Sequence, residues 1–151
     1  MKLKLRTIET LSEALEFAPR LDAAAADFHA QVSDGPFQPG AAERFLRQRF
    51  SARETALVVA GADGKAWGMC LSGPFTDPLL GTTVPMILVL DVDASLRHRG
   101  VAGELVGEVE RVLAARGLTQ LAARAMHNDD ALISMGERWG FVRSWELMVK
   151  E

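Results

Sequence analysis

Leu3 and Leu5 alternate with charged residues and Ile8 follows closely, a period of two that predicts a first strand over residues 2–8. The spacing then changes to that of a helix. Leu11, Leu15, Leu21, Ala25 and Phe28 mark one face between Thr10 and His29, and Pro19 should kink or divide it. Residues 33–40 carry two prolines, two glycines and an aspartate, so they read as a loop. A short helix follows over residues 40–50 with Phe45, Leu46 and Phe50 to one side. Thr55 to Ala60 and Ala66 to Leu71 read as strands joined through Asp63-Gly64, the dipeptide of a tight hairpin. Residues 72–85 contain three prolines and two glycines and read as a second long loop.

Met86 to Leu90 is an unbroken apolar run, the mark of a strand covered on both faces. Val101, Leu105, Val109, Val112 and Leu113 repeat at helical spacing until Gly117, which fits the position just past a helix end. Leu118 to Met126 is predicted as the next strand, although alanine-rich. Asn128 or Asp129 can cap a further helix bearing Leu132, Met135 and Trp139, and Phe141 to Val149 is predicted to close the chain as a strand. Strand, helix and strand over residues 86–126 imply a right-handed crossover with the two strands parallel, whereas the hairpin adds antiparallel pairing. The expectation is therefore a single α/β domain over residues 1–151 with a mixed sheet, its ligand at the C-terminal end of strand 86–92.

Charge sharpens that last point. The 151 residues are 25% charged and carry a net charge of −3, which argues against nucleic acid or an anionic membrane as a partner. Cys70 is the one cysteine, so no intrachain disulfide forms and a cytoplasmic setting is expected. Neither a signal peptide nor an apolar run long enough to span a membrane is recognisable. Against this acidic background, Arg97, His98 and Arg99 stand together where a helix begins. Cations are disfavoured there, because the helix dipole presents positive partial charge and free N–H groups. An anion resolves the conflict, and Gly100, Ala102 and Gly103 leave room for it to reach the backbone. The segment reads as a phosphate cradle. No Gly-x-Gly-x-x-Gly, nucleotide P-loop or Gly-x-Ser-x-Gly motif is present, and three scattered histidines with one cysteine offer no metal spacing.

Arg97-His98-Arg99-Gly100-Val101-Ala102 resembles the Arg/Gln-x-x-Gly-x-Gly/Ala motif of the GNAT acetyltransferase superfamily, with the expected strand before it and helix after it. Asn128, Ala131 and Trp139-Gly140-Phe141 resemble the family's Asn…Ala…Gly-Phe segment. The specific match spans about residues 86–141. It implies a GNAT-like acyl-CoA fold, a mixed but mostly antiparallel sheet with one parallel splayed strand pair, flanked by helices. It also implies an enzyme that moves an acetyl group from acetyl-CoA to an amine of a small molecule or peptide. By similarity, Arg97 and the N–H groups of His98, Arg99, Gly100, Val101, Ala102 and Gly103 would hold the pyrophosphate. The N–H of Val92 would bond the thioester carbonyl and then the developing oxyanion. The pantetheine arm would lie against Leu90, Asp91 and Val92, between strands 86–92 and 118–126, and Asn128 would touch the cofactor. The family often dimerises, which makes a homodimer an expected assembly.

Two features depart from the family pattern. The tyrosine that often protonates the departing thiolate falls at Gly136 or Met135 here, and the chain contains no tyrosine. The glutamate that often serves as base falls near Ala123, which leaves His127, Asp91, Asp93 and Glu146 as candidates, His127 having the most suitable intrinsic pKa. A non-catalytic acyl-CoA sensor on the same fold is the alternative reading. Cys70, Trp139 and Phe141 read as core residues and His29 as structural. Phe37 and Phe75, in loops, border the expected acceptor pocket or anchor those loops.

Overall fold

Pro19 acts as a beginning. The predicted N-terminal helix is two helices, α1 (Leu11–Glu16) and α2 (Ala18–Val32), and the proline occupies the first turn of α2, where no N–H is required. Thr10 caps α1, its hydroxyl accepting from Glu13 N–H at 3.2 Å. In this computed structural model, which describes residues 2–144 and 147–150, these helices and α3 (Ala41–Arg49) cover one face of a four-stranded antiparallel sheet. Its strands run in chain order, β1 (Lys4–Thr7), β2 (Ala56–Ala62), β3 (Lys65–Thr76) and β4 (Thr83–Val92). The β2–β3 turn is the predicted one, with Asp63 (φ 54°) and Gly64 (φ 72°) both left-handed between the paired residues Ala62 and Lys65.

Helix α4 (Val101–Ala115) covers the opposite face. Leu105, Val109 and Leu113 lie fully buried against Ala56, Val58, Ala60 and Cys70, while Leu21, Leu46, Leu57 and Met69 fill the core beneath α1–α3. Each such leucine contributes about 2 kcal/mol relative to exposure. Gly117 (φ 82°) ends α4 as predicted, since Gly117 N–H bonds Ala114 O at 2.9 Å and Leu118 N–H bonds Leu113 O at 3.0 Å, a Schellman pair.

The long loop predicted over residues 72–85 is mostly strand. β3 and β4 continue through Pro74, which lies opposite Pro85, and only residues 77–82 remain as a loop. The prolines fit because neither nitrogen faces the β3–β4 ladder. Ile87 N–H points to the far side of β4, so Pro85, two residues earlier, does too, and β2 ends before it could pair with Pro74.

The two last predicted strands are corrected by the structure. Residues 118–126 form a single parallel bridge, Met86 to Ala122, made by Ile87 N–H to Ala122 O and Ala122 N–H to Pro85 O, both 2.8 Å. Just beyond it, Leu88 is an extra residue in β4, since Leu71 pairs with Val89 and Ser72 with Ile87. Such a bulge sharpens twist and swings the rest of the strand aside. It also swaps faces: Ile87 belongs to the α4 core but Val89 to the α1–α3 core. No strand forms over the described residues of 141–149, where Val142, Leu147, Met148 and Val149 are 77–87% exposed, because 118–126 provides no ladder to join. Trp145 and Glu146, the latter a candidate base, lie outside the described residues. Helix α5 (Asp130–Arg138) follows the bridge segment, and Asp129 rather than Asn128 caps it, accepting from Leu132 N–H at 3.1 Å.

Candidate active site

The end of β4 presents a row of backbone groups without a neighbouring strand. Asp93 N–H donates to Trp67 O at 2.8 Å, so Asp93 faces β3. Alternation then directs the N–H and C=O of Val92 and of Leu90 away from β3, toward the open edge. Asp91 does the reverse: its backbone faces β3, and its carboxylate accepts from Arg20 Nε at 2.8 Å. Arg20 also reaches Ala66 O at 2.6 Å, so one half-buried guanidinium ties α2 to both β3 and β4. Asp91 therefore stands as an anchor beneath Val92, its carboxylate already engaged.

Asp93 is likewise occupied. Its Oδ1 accepts from Ser95 N–H at 3.0 Å and Ser95 Oγ at 2.7 Å, capping a single 3₁₀ turn over Ala94–Leu96. These bonds, chiefly those from Ser95, hold its carboxyl below the usual range, which makes it a weak proton acceptor. Leu96 inserts into the core beside α4 and fixes the turn. The chain then passes through two left-handed residues, His98 (φ 65°) and Gly100 (φ 78°), before α4 starts. No side chain caps α4, so the N–H groups of Val101, Ala102 and Gly103 have no capping partner, and Arg97, His98 and Arg99 are exposed around them.

The two cradle glycines have different roles. A Cβ at Gly100 would meet nothing within 4 Å, so glycine there serves the left-handed backbone and leaves open space over the helix end. A Cβ at Gly103 would come within 3.0 Å of Trp139 Nε1, so that glycine admits the tryptophan beyond α5 against α4.

From the Met86–Ala122 bridge, β4 and the 118–126 segment diverge as a V. Leu90 and Val92 line one arm and the residues after Ala122 the other. α4 lies on one face of the sheet and α2 on the other. Arg124 reaches the α2 face, its guanidinium carbon 4.6 Å from the centre of the Phe28 ring. His127 and Asn128 are exposed in the turn before α5. Met135 and Gly136 carry no ionisable proton. Cys70 is wholly buried, and burial pushes its thiol up to about 12, which excludes it as a nucleophile. Phe75 lies within β3 opposite Val84 and not in a loop, whereas Phe37 packs on the His29 ring, centroids 5.6 Å apart. His29 also meets Gly35 O at 3.1 Å, the structural role expected for it.

A groove of about 620 Å³ between Gly107–Ala114, Leu118–Leu121 and Trp139–Phe141 lies along α4 beyond the cradle and includes none of residues 97–103. Among the described residues no cluster of three or more His, Cys, Asp or Glu could hold a metal, and no helix is long and apolar enough to cross a membrane. Sequence reasoning missed Arg20 and Arg124. Their partners are 71 and 96 positions away, and no local pattern connects them.

The architecture has solved counterparts. Aminoglycoside N-acetyltransferase AAC(6')-Iy, bound to the bisubstrate analogue CoA-S-monomethyl-acetylneamine, superposes with a TM-score of 0.72 at 19% identity, covering 100% of this chain and 98% of that one. A ribosomal-protein-alanine N-acetyltransferase from Brucella melitensis biovar Abortus 2308 gives 0.63 at 18% identity, with 99% of each chain covered. Aminoglycoside 6'-N-acetyltransferase AAC(6')-Ih from Acinetobacter baumannii gives 0.67 at 18%, covering 99% and 97%. At these identities the likeness concerns the fold, and a comparison with curated proteins finds no match. The sequence profile of the Acetyltransferase (GNAT) family, however, matches residues 17–141, a span that holds the cradle, the β4 edge and both arms of the V. The chain belongs to the GNAT acetyltransferase family, enzymes whose acyl donor is acetyl-CoA.

Proposed function

We propose that the protein transfers the acetyl group of acetyl-CoA to an amine of a small molecule or peptide, by direct attack in a ternary complex. The observation that carries this reading is the pairing of an uncapped α4 N-terminus with an outward-facing Val92 N–H on the same β4–α4 connection. The donor set suits the ligand. Free N–H groups at a helix start, with Arg97, His98 and Arg99 around them, complement a pyrophosphate. Edge groups of Leu90 and Val92 complement the amides of a pantetheine arm. Bound there, acetyl-CoA supplies an activated acyl thioester.

The chain's own work is to hold charge and exclude alternatives. Val92 N–H donates to the acyl oxygen and strengthens as negative charge develops on it, an effect worth about 3 kcal/mol for one preorganised donor. Asp91, fixed by Arg20, keeps that stretch of β4 in register. His127, exposed in the turn before α5, is the imidazole that would accept the proton from the attacking amine. Asn128, free of the cap, is available to the cofactor. The thiolate leaves without a tyrosine and takes its proton from water. Because Gly136, Met135 and Ala123 replace the acid and base positions, a non-catalytic acyl-CoA sensor is the second reading.

Calorimetric titration with acetyl-CoA, followed by thiol release across an amine panel, tests both. Binding by wild type, weakened at least about tenfold in Arg97→Glu/Arg99→Glu, supports the cradle. Gly100→Glu should also abolish binding, although the left-handed backbone adds strain to the new charge. Binding without thiol release from any amine would favour the sensor. Absence of binding by wild type would overturn both readings.

A further inference from the structure

Most arginines on this surface are already satisfied. Arg6, Arg20, Arg47 and Arg111 pair with Glu13, Asp91, Glu43 and Glu108, and Arg44, Arg53 and Arg116 donate to main-chain carbonyls. Arg124 differs. Its guanidinium lies over Phe28, and among the described residues no carboxylate pairs with it; Asp27, next to Phe28 on α2, forms no ion pair with it. Arg124 is exposed, and the groups packed beside it withdraw part of its hydration, which lowers its pKa.

Its position matters as much. Arg124 stands two residues past the Ala122 bridge, on the arm of the V facing β4, and reaches the α2 face. The cradle belongs to α4, on the other face. A donor anchored at the cradle enters the V from the α4 side, which leaves the α2 side for the acceptor.

From this placement, and resting on the acetyltransferase reading above, we infer that Arg124 is a carboxylate subsite for the acceptor, so the preferred substrate is an amine that also bears a carboxylate. Phe28 restrains the guanidinium while leaving it without a counter-ion, and a carboxylate can accept from it through two parallel N–H bonds. The same charge repels polycationic acceptors. This chain should therefore discriminate against aminoglycosides, the substrates named for several of its structural neighbours.

The experiment compares free amino acids and short peptides with their C-terminal amides, and with neamine, at saturating acetyl-CoA. Wild type should favour the carboxylates at least about tenfold in kcat/KM. Arg124→Gln should remove that preference through a raised KM while the Kd for acetyl-CoA stays the same, and Arg124→Lys should restore part of it. If amides or neamine are preferred, or if Arg124→Gln leaves the ratio unaltered, the inference fails. Free amino acids favoured over peptides, or the reverse, distinguishes the two sources of the carboxylate. A second readout separates this from failure of the transferase reading. Titrating N-acetylated amino acids should shift the Arg124 Nε–H resonance in wild type, and their amides should not. That shift without acetyl transfer to any amine would overturn the transferase and keep the anion subsite; absence of the shift overturns the subsite.

Discussion

The two arms of the V are built differently. β4 runs ten residues, is paired with β3 along most of its length, and buries Met86, Ile87 and Val89. The 118–126 arm contributes Ala122, Ala123 and Ala125 and holds to β4 through one bridge. Alanines bury little apolar surface, and the Leu88 bulge carries β4 away just after the bridge, so pairing stops after one step. The functional gap follows from this inequality. A second fully paired strand would consume the N–H of Val92, whereas two loose arms would leave that donor without a fixed direction.

The firm arm is most damaged by losing its support from α4. Leu105, fully buried, packs where Gly68 passes beneath Val92, and Leu105→Ala should destabilise the protein by about 2–5 kcal/mol in urea unfolding. A loss below about 1 kcal/mol would show that the α4 contact does not hold β4 in place. Removing the tie from the other face comes next. Arg20→Ala leaves the half-buried Asp91 carboxylate unpaired and should cost about 2 kcal/mol. It should also lower kcat about tenfold, with acetyl-CoA affinity retained, because the adjacent Val92 donor loses its support. An unchanged kcat would restrict the pair to a structural role.

The thiol behind β4 gives a smaller, pH-dependent effect. Burial raises Cys70 to about 12 from 9.0. The folded value being the higher, its contribution is complete below pH 9 and declines as pH rises toward 12. Between pH 9 and 10 the loss should be about 1 kcal/mol, absent in Cys70→Ala; equal slopes in both proteins would place the titration elsewhere. The loose arm should respond least. Ala123→Val adds strand propensity to an exposed position and should change stability by no more than about 0.5 kcal/mol. A markedly larger gain would mean that poor propensity, and not the bulge, keeps the arms apart.

What could be read from the sequence was what is local. The cradle occupies seven consecutive residues, Asp63-Gly64 makes its turn alone, and Gly117 ends α4 within one motif. Pro74 and Pro85 misled because a proline's fit in a ladder depends on which way its nitrogen faces, a property of the pairing and not of the residue. Residues 141–149 misled for a related reason: alternation shows that a segment could pair, not that an edge awaits it. The charge of Asp91 is visible in the sequence, but its partner Arg20 lies across the sheet on α2, so its role as an anchor emerges only after folding. The Leu88 bulge has no sequence signature at all.

That bulge also sets the phase of β4. Ile87 N–H faces outward and Asp93 N–H inward, although Asp93 lies six positions further on, an even step. Strict alternation would give both the same direction, so one inserted residue has reversed the parity of everything downstream. Pairing Leu88 regularly, with the bulge flattened, would leave the cradle sequence untouched, yet it would turn Val92 N–H into the sheet and offer the amide of Asp91 in its place. Deleting Leu88 together with the bulge would keep Val92 N–H outward. In this strand the count of residues between bridge and cradle carries chemical meaning, because the bulge decides which amides face the open edge.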